Sequence, residues 1–106
     1  MSRYYVSAGL ELTPGTDPQA AATMLAGLAE TTRDEPGCIF FEVRQNIEDP
    51  QRFTLWECWT GPDALARHFE YDHTKAVLAT GMTRVCYIEK LTDVSGDPAP
   101  TPASGD

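Results

Sequence analysis

A chain of 106 residues, 42% hydrophobic and 23% charged, has the composition of one globular domain, too short for two cores and too apolar to be disordered throughout. Eight Lys and Arg against sixteen Asp and Glu give a formal charge of −8, and no basic run is interleaved with aromatics, so a nucleic acid is excluded as partner. No apolar run approaches the roughly 20 residues of a membrane span, and Met-Ser-Arg-Tyr-Tyr lacks the apolar core of a signal peptide, which points to a cytoplasmic protein without membrane contact.

The first segment alternates: Tyr4, Val6, Ala8, Leu10 and Leu12 share one face, and Tyr5, Ser7, Gly9 and Glu11 the other, as in a half-buried strand. Thr13-Pro14-Gly15-Thr16 breaks it. Asp17 is a suitable N-cap with Pro18 at the first helical position, and Ala21, Met24, Leu25, Leu28 and Thr32 form the apolar stripe of a helix. Glu35-Pro36-Gly37 stops that helix. Cys38 to Gln45 reads as a second strand and Phe53 to Trp59 as a third, joined by a polar hairpin rich in Asn, Asp and Pro. Ile39, Phe41 and Val43 share a face, as do Phe53, Leu55, Glu57 and Trp59. A second helix opens at Thr60-Gly61-Pro62-Asp63 and carries Leu65, His68 and Phe69 on its inner stripe. Tyr71-Asp72-His73 interrupts it, and Thr74 to Thr80 is a short further helix ended by Gly81. Thr83 to Leu91 is a last strand, apolar on both faces and so expected to be covered on both. From Asp93 the chain turns to Pro, Ser, Gly and Asp. A domain over 1–92 with a flexible tail over 93–106 is expected.

The order β-α-β-β-α-(α)-β is the split βαβ arrangement of an α+β, ferredoxin-like domain with an antiparallel four-stranded sheet. Helices on one face leave the other bare. With Tyr4, Phe41, Phe53 and Trp59 assigned to that bare face, a second copy is the simplest cover, and an apolar space left between the two sheets is the expected pocket.

Loud motifs are missing. The sequence has no G-x-G-x-x-G, Walker loop, H-E-x-x-H or G-x-S-x-G, so dinucleotide, phosphate, zinc-hydrolase and acyl-transfer chemistry have no support. Three cysteines, Cys38, Cys58 and Cys86, are odd in number and lack C-x-x-C spacing. They read as reduced thiols, not as a disulfide framework or a metal site. Glu57 lies between Leu55 and Trp59 on one strand face, where a carboxylate must be paired, hydrogen-bonded or shifted in pKa. It is either an edge residue paired with Arg84 or Arg44, or a working acid. His68 and His73, close to one helix break, are either capping or core-edge residues or proton-transfer groups near neutral pH. Trp56 and Trp59 lie on opposite faces of one strand. Trp59 is left as either a pocket wall or part of a dimer core.

Glu35-Pro36-Gly37-Cys38, the Asp49-Pro50 hairpin, Leu55-Trp56-Glu57-Cys58-Trp59, Ala66-Arg67-His68-Phe69 and His73-Thr74-Lys75-Ala76, in this order over residues 3 to 92, resemble the antibiotic biosynthesis monooxygenase family, in particular its quinol-monooxygenase-like branch. The resemblance implies a homodimeric α/β barrel. It also implies oxygenation of a small phenolic or quinol-like compound by O2 without flavin, haem or metal, the electron-rich substrate anion itself reducing the oxygen. His73 then resembles the loop histidine that serves as base, with Asp72 in place of the usual proline. Glu57 and Trp59 match an E-x-W strand ending, and His68 a helix histidine followed by a bulky apolar residue, here Phe69. Catalytic roles fall to His73, Glu57 and His68, and substrate contacts to Trp59, Phe69 and Phe41. Leu55 stands where polyketide-oxidising members carry asparagine, and Ala8, His68 and Leu78 stand at the haem-degrading residues, which argues against haem as substrate. An isomerase or carbonyl-handling enzyme of the same fold, and a non-catalytic small-molecule-binding dimer, remain the alternatives.

Overall fold

The computed structural model describes residues 3–94; the tail expected over 93–106 lies, from residue 95 onward, outside the described residues. The elements are β1 (Tyr4–Leu12), α1 (Pro18–Thr32), β2 (Cys38–Gln45), β3 (Arg52–Trp59), α2 (Pro62–His68), α3 (Asp72–Ala79) and β4 (Thr83–Leu91). The strands form one antiparallel sheet in the order β2-β3-β1-β4, the ferredoxin-like arrangement, with β1 and β3 at its centre. Asp17 caps α1 by accepting the Ala20 N–H at 3.0 Å, and Pro18 stands in the first turn, as its fixed φ favours.

The core lies between the sheet and the helices. Val6, Ala8, Leu10 and Leu12 of β1 meet Ala21, Leu25, Leu28 and Ala29 of α1, with Phe41, Phe53 and Trp59 packed beside them. Trp59, Phe41 and Leu25 are among the largest fully buried side chains, and each stabilises the fold by about 1.5–3 kcal/mol or more. This reverses the faces expected above. Phe41, Phe53 and Trp59 lie under the helices and Tyr4 packs against the same core, while the face turned away carries Tyr5, Phe40 and Trp56. Alternation sorts residues into two sets, but both sets here are aromatic, and only the fit against α1 decides which goes inside.

The last strand also departs from expectation. A register shift places Leu10 opposite Val85 and Gly9 opposite Tyr87, so Cys86 is the extra residue of a bulge. Val85 and Ile88 then share the helix side of the sheet, and Tyr87 crosses to the other, lying over Gly9, where any Cβ would overlap its ring. As the edge strand, β4 is not covered on both faces in the single chain: Val85, Tyr87, Ile88 and Leu91 are all exposed. Finally, α3 begins at Asp72, two residues earlier than the sequence suggests, so His73 stands in its first helical turn and not in a loop.

Candidate functional site

The site is assembled by the Glu35-Pro36-Gly37 turn. Glu35 N–H closes a turn onto the Thr32 carbonyl at 3.0 Å, and its own carbonyl accepts from Cys38 N–H at 3.1 Å. Gly37 adopts φ 89°, a left-handed conformation that favours glycine. A Cβ there would stand 2.6 Å from Ala64 Cβ, so only glycine lets α2 approach this turn. Thr60 N–H then bonds the Gly37 carbonyl at 2.9 Å, which fixes the entry of α2. One helical turn beyond Ala64 stands His68, brought directly against the Glu35 carboxylate.

Three side chains meet there. His68 Nδ1 is 2.9 Å from Glu35 Oε2 and 3.2 Å from Oε1, and His73 Nε2 is 2.5 Å from the same Oε2. Thr74 Oγ1 lies 3.3 Å from His68 Nδ1. Glu35, His68 and Thr74 are buried, whereas the His73 side chain keeps 25% of its exposure and stacks on Tyr71. A carboxylate accepts from the imidazoles, so Glu35 fixes the proton of His68 on Nδ1 and leaves Nε2 as the basic nitrogen. Burial lowers the His68 pKa, His73 adds to that, and the Glu35 hydrogen bond and charge oppose it.

The donor atoms of Glu35, His68 and His73 lie within 4.8 Å of one another, but the spacing is that of hydrogen bonds. Two ligands 2.5 Å apart would subtend only about 75° at a zinc-sized ion some 2.05 Å from each, tighter than tetrahedral or octahedral coordination. In this structure the three groups are joined by hydrogen bonds.

An apolar cavity of about 120 Å³ opens beside His68, between the sheet and the helices. His68, Glu57, Phe41 and Ala8 form part of its wall, and the exposed side chains of Phe69, Leu78, Val85 and Ile88 rim its mouth. It sits within the chain, on the helix face of the sheet; a space between two sheets, as expected from the sequence, would need a second copy. Glu57 pairs with neither Arg84 nor Arg44: Arg84 bonds Glu11, and Arg44 bonds Glu42. Its Oε1 instead accepts the Trp59 indole N–H at 2.9 Å. Burial pushes the Glu57 pKa up to about 7, the Trp59 bond opposes this, and the Glu35 charge adds to it. Cys38, pushed up to about 11 mainly by burial and further by the Glu35 and Glu57 charges, stays a thiol and offers no nucleophile.

Of the residues singled out from sequence, His68, Glu57, Phe41 and Phe69 line the cavity. Trp59 is fully buried behind it and holds Glu57, and His73 stands behind Glu35. Glu35 itself reads in the sequence only as part of a helix stop. The signal lies in the run as a whole: an acid, a rigid proline and a glycine at the point where the chain must turn under a following helix.

A ferredoxin-like α+β domain with a buried acid–base cluster behind an apolar cavity is the class these features define. Residues 3–80 match the antibiotic biosynthesis monooxygenase family, and the chain belongs to it. It is 29% identical over 90 residues to the uncharacterized protein YjcS of Bacillus subtilis, covering 85% of this chain and 86% of that protein. The solved structure of YjcS superposes with a TM-score of 0.80 at 28% identity, covering 84% of this chain and 96% of YjcS. PA3566 from Pseudomonas aeruginosa (TM-score 0.80, 24% identity, 89% and 96% covered) and Rv0793 from Mycobacterium tuberculosis (0.76, 22%, 92% and 99%) share the fold. Among the described residues no helix is long and apolar enough to cross a membrane.

Proposed function

We propose that this protein is a cytoplasmic, cofactor-independent monooxygenase that oxygenates a single-ring hydroquinone or phenol with O2, and that His68 is its base. The observation that carries the reading is the placement of a neutral imidazole and a protonatable carboxyl group on the wall of one small apolar cavity. A cavity of roughly 150 Å³ lined by aliphatic and aromatic side chains holds a benzene molecule, so about 120 Å³ with an open mouth has room for one ring. His68 Nε2 takes the hydroxyl proton. The resulting anion, in a site that excludes water, is electron-rich enough to reduce O2 itself. Glu57, neutral up to about pH 7, donates a hydrogen bond to the oxygen that gains charge. For hydroquinone the reaction balances as one quinol and one O2 giving one hydroxybenzoquinone and one water. One oxygen atom forms a C–O bond to the ring, the other leaves as water, and the ring supplies all the electrons.

His73 is assigned no contact with substrate in this reading, because it does not line the cavity and bonds the Glu35 Oε2 atom that also holds His68. Phe41 and Phe69 provide the ring contacts, and Trp59 keeps the Glu57 carboxyl in place. Two copies are proposed to pair through the sheet face that carries Tyr5, Phe40 and Trp56, whose ring centroids lie 5.6–6.4 Å apart with no helix over them.

The test is oxygen uptake by metal-free protein with hydroquinones and phenols of one, two and three rings. Uptake is expected with one-ring compounds only, and none with any of them would refute the proposal. A neutral base and a protonated acid facing one cavity also suit a proton shift in a carbonyl compound. That isomerase reading requires turnover without oxygen. A mere binding protein would show ligand affinity in the wild type and in His68→Ala alike, with turnover in neither.

A further inference from the structure

Orienting a base takes one carboxylate and one histidine, and Glu35 already does this for His68. His73 is surplus to that task. Its Nε2 sits 2.5 Å from the Oε2 atom that holds His68 Nδ1 at 2.9 Å, so the three groups form one unbroken hydrogen-bonded line. The line runs from burial to water: the side chains of Glu35 and His68 are 3% and 5% exposed, and that of His73 is 25% exposed. Tyr71 stacks on His73 at 5.4 Å and 14°, which holds its ring at the outer end. Facing the line are also Thr74 Oγ1 of α3 at His68, Glu57 of β3 on the cavity side, and the Cys38 thiol of β2, which the Glu35 charge reaches.

We infer that Glu35 and His73 are a proton outlet, carrying to solvent the proton that His68 takes inside the cavity. The inference rests on His68 being the base. The transfer is written from a starting arrangement with one proton shared between Glu35 Oε2 and His73 Nε2 and one on His73 Nδ1. As the substrate O–H bond breaks, His68 Nε2 gains that proton, the His68 Nδ1 proton moves to Glu35, and His73 Nδ1 gives its proton to water. One proton enters, one leaves, each hydrogen bond keeps a proton, and no electrons move. Reverse transfer resets the line when the departing oxygen atom is protonated to water. Without such an outlet the proton would stay on the buried His68–Glu35 pair. Neither Glu35 nor His73 touches substrate. Both act through His68.

The test is His73→Ala in the full-length protein. Its kcat should fall at least about tenfold with KM unchanged, its solvent deuterium isotope effect should grow, and added imidazole should restore the rate. Glu35→Gln should lose rate without rescue. An unchanged kcat in His73→Ala, or a loss that imidazole leaves untouched, overturns the outlet. Should the wild type oxidise no quinol, the monooxygenase reading falls by itself, and nitrogen-15 spectra of the histidines decide the outlet. Coupled titration of His68 and His73 that Glu35→Gln separates supports it, and independent titration in the wild type refutes it.

Discussion

Trp59 and Glu57 stand two residues apart on one face of β3, and the indole N–H donates to the carboxylate at 2.9 Å. The bond fixes the direction of the acid while burial keeps it protonated up to about pH 7. An unfolded glutamate ionises near 4.5, so between pH 4.5 and 7 the unfolded chain holds fewer protons than the folded one. Stability on this account is fullest below that window and is lost as pH rises through it. Glutamine keeps an acceptor for Trp59 and never ionises. Thermal denaturation of Glu57→Gln should match the wild type near pH 4 and show a gain of up to about 3 kcal/mol at pH 8. Equal destabilisation at both pH values would contradict the assignment.

Ala8 is the small residue on the sheet side of the cavity. Ala8→Leu puts its extra carbons into space that already exists, so stability should change by less than about 1.5 kcal/mol. Ligand binding should weaken at least about tenfold, as expected when a hydrophobic pocket loses room for a few carbons. Calorimetric titration with a one-ring phenol measures this, and undiminished affinity would place the ligand elsewhere.

Tyr5, Phe40 and Trp56 form an aromatic cluster on the face that no helix covers. If a second copy covers it, Trp56→Glu sets a charge in the middle of the interface and should convert a dimer into a folded monomer. Sedimentation equilibrium of the two proteins, with circular dichroism as the folding control, reads the outcome. A monomeric wild type at micromolar concentration would sink the dimer.

The sequence discloses the elements well and the inside of the molecule poorly. Asp17-Pro18, Glu35-Pro36-Gly37 and Gly61-Pro62 punctuate the chain by fixed backbone preferences, and each boundary falls where they direct. Which face of β3 turns inward is a matter of packing. Trp56 and Trp59 are equally apolar, and only the meeting with α1 and α2 buries one of them. The bulge at Cys86 is hidden for a similar reason, since one extra residue in β4 swaps faces without leaving any mark in composition. His68 and Glu57 are legible as polar residues on apolar stripes. Glu35 is not, because a turn residue gains a role only when Ala64 closes over Gly37 and carries His68 to it.

On the proposed function His68, facing a cavity with room for one ring, starts an oxygenation that needs no added cofactor. Single-turnover oxidation of a one-ring hydroquinone under oxygen-18 gas, by metal-free wild type and by His68→Gln, tests it most directly. One labelled oxygen is expected in the quinone product of the wild type and one in water, with a rate at least about a hundredfold lower in the variant. Unlabelled product, or a variant as fast as the wild type, would contradict it.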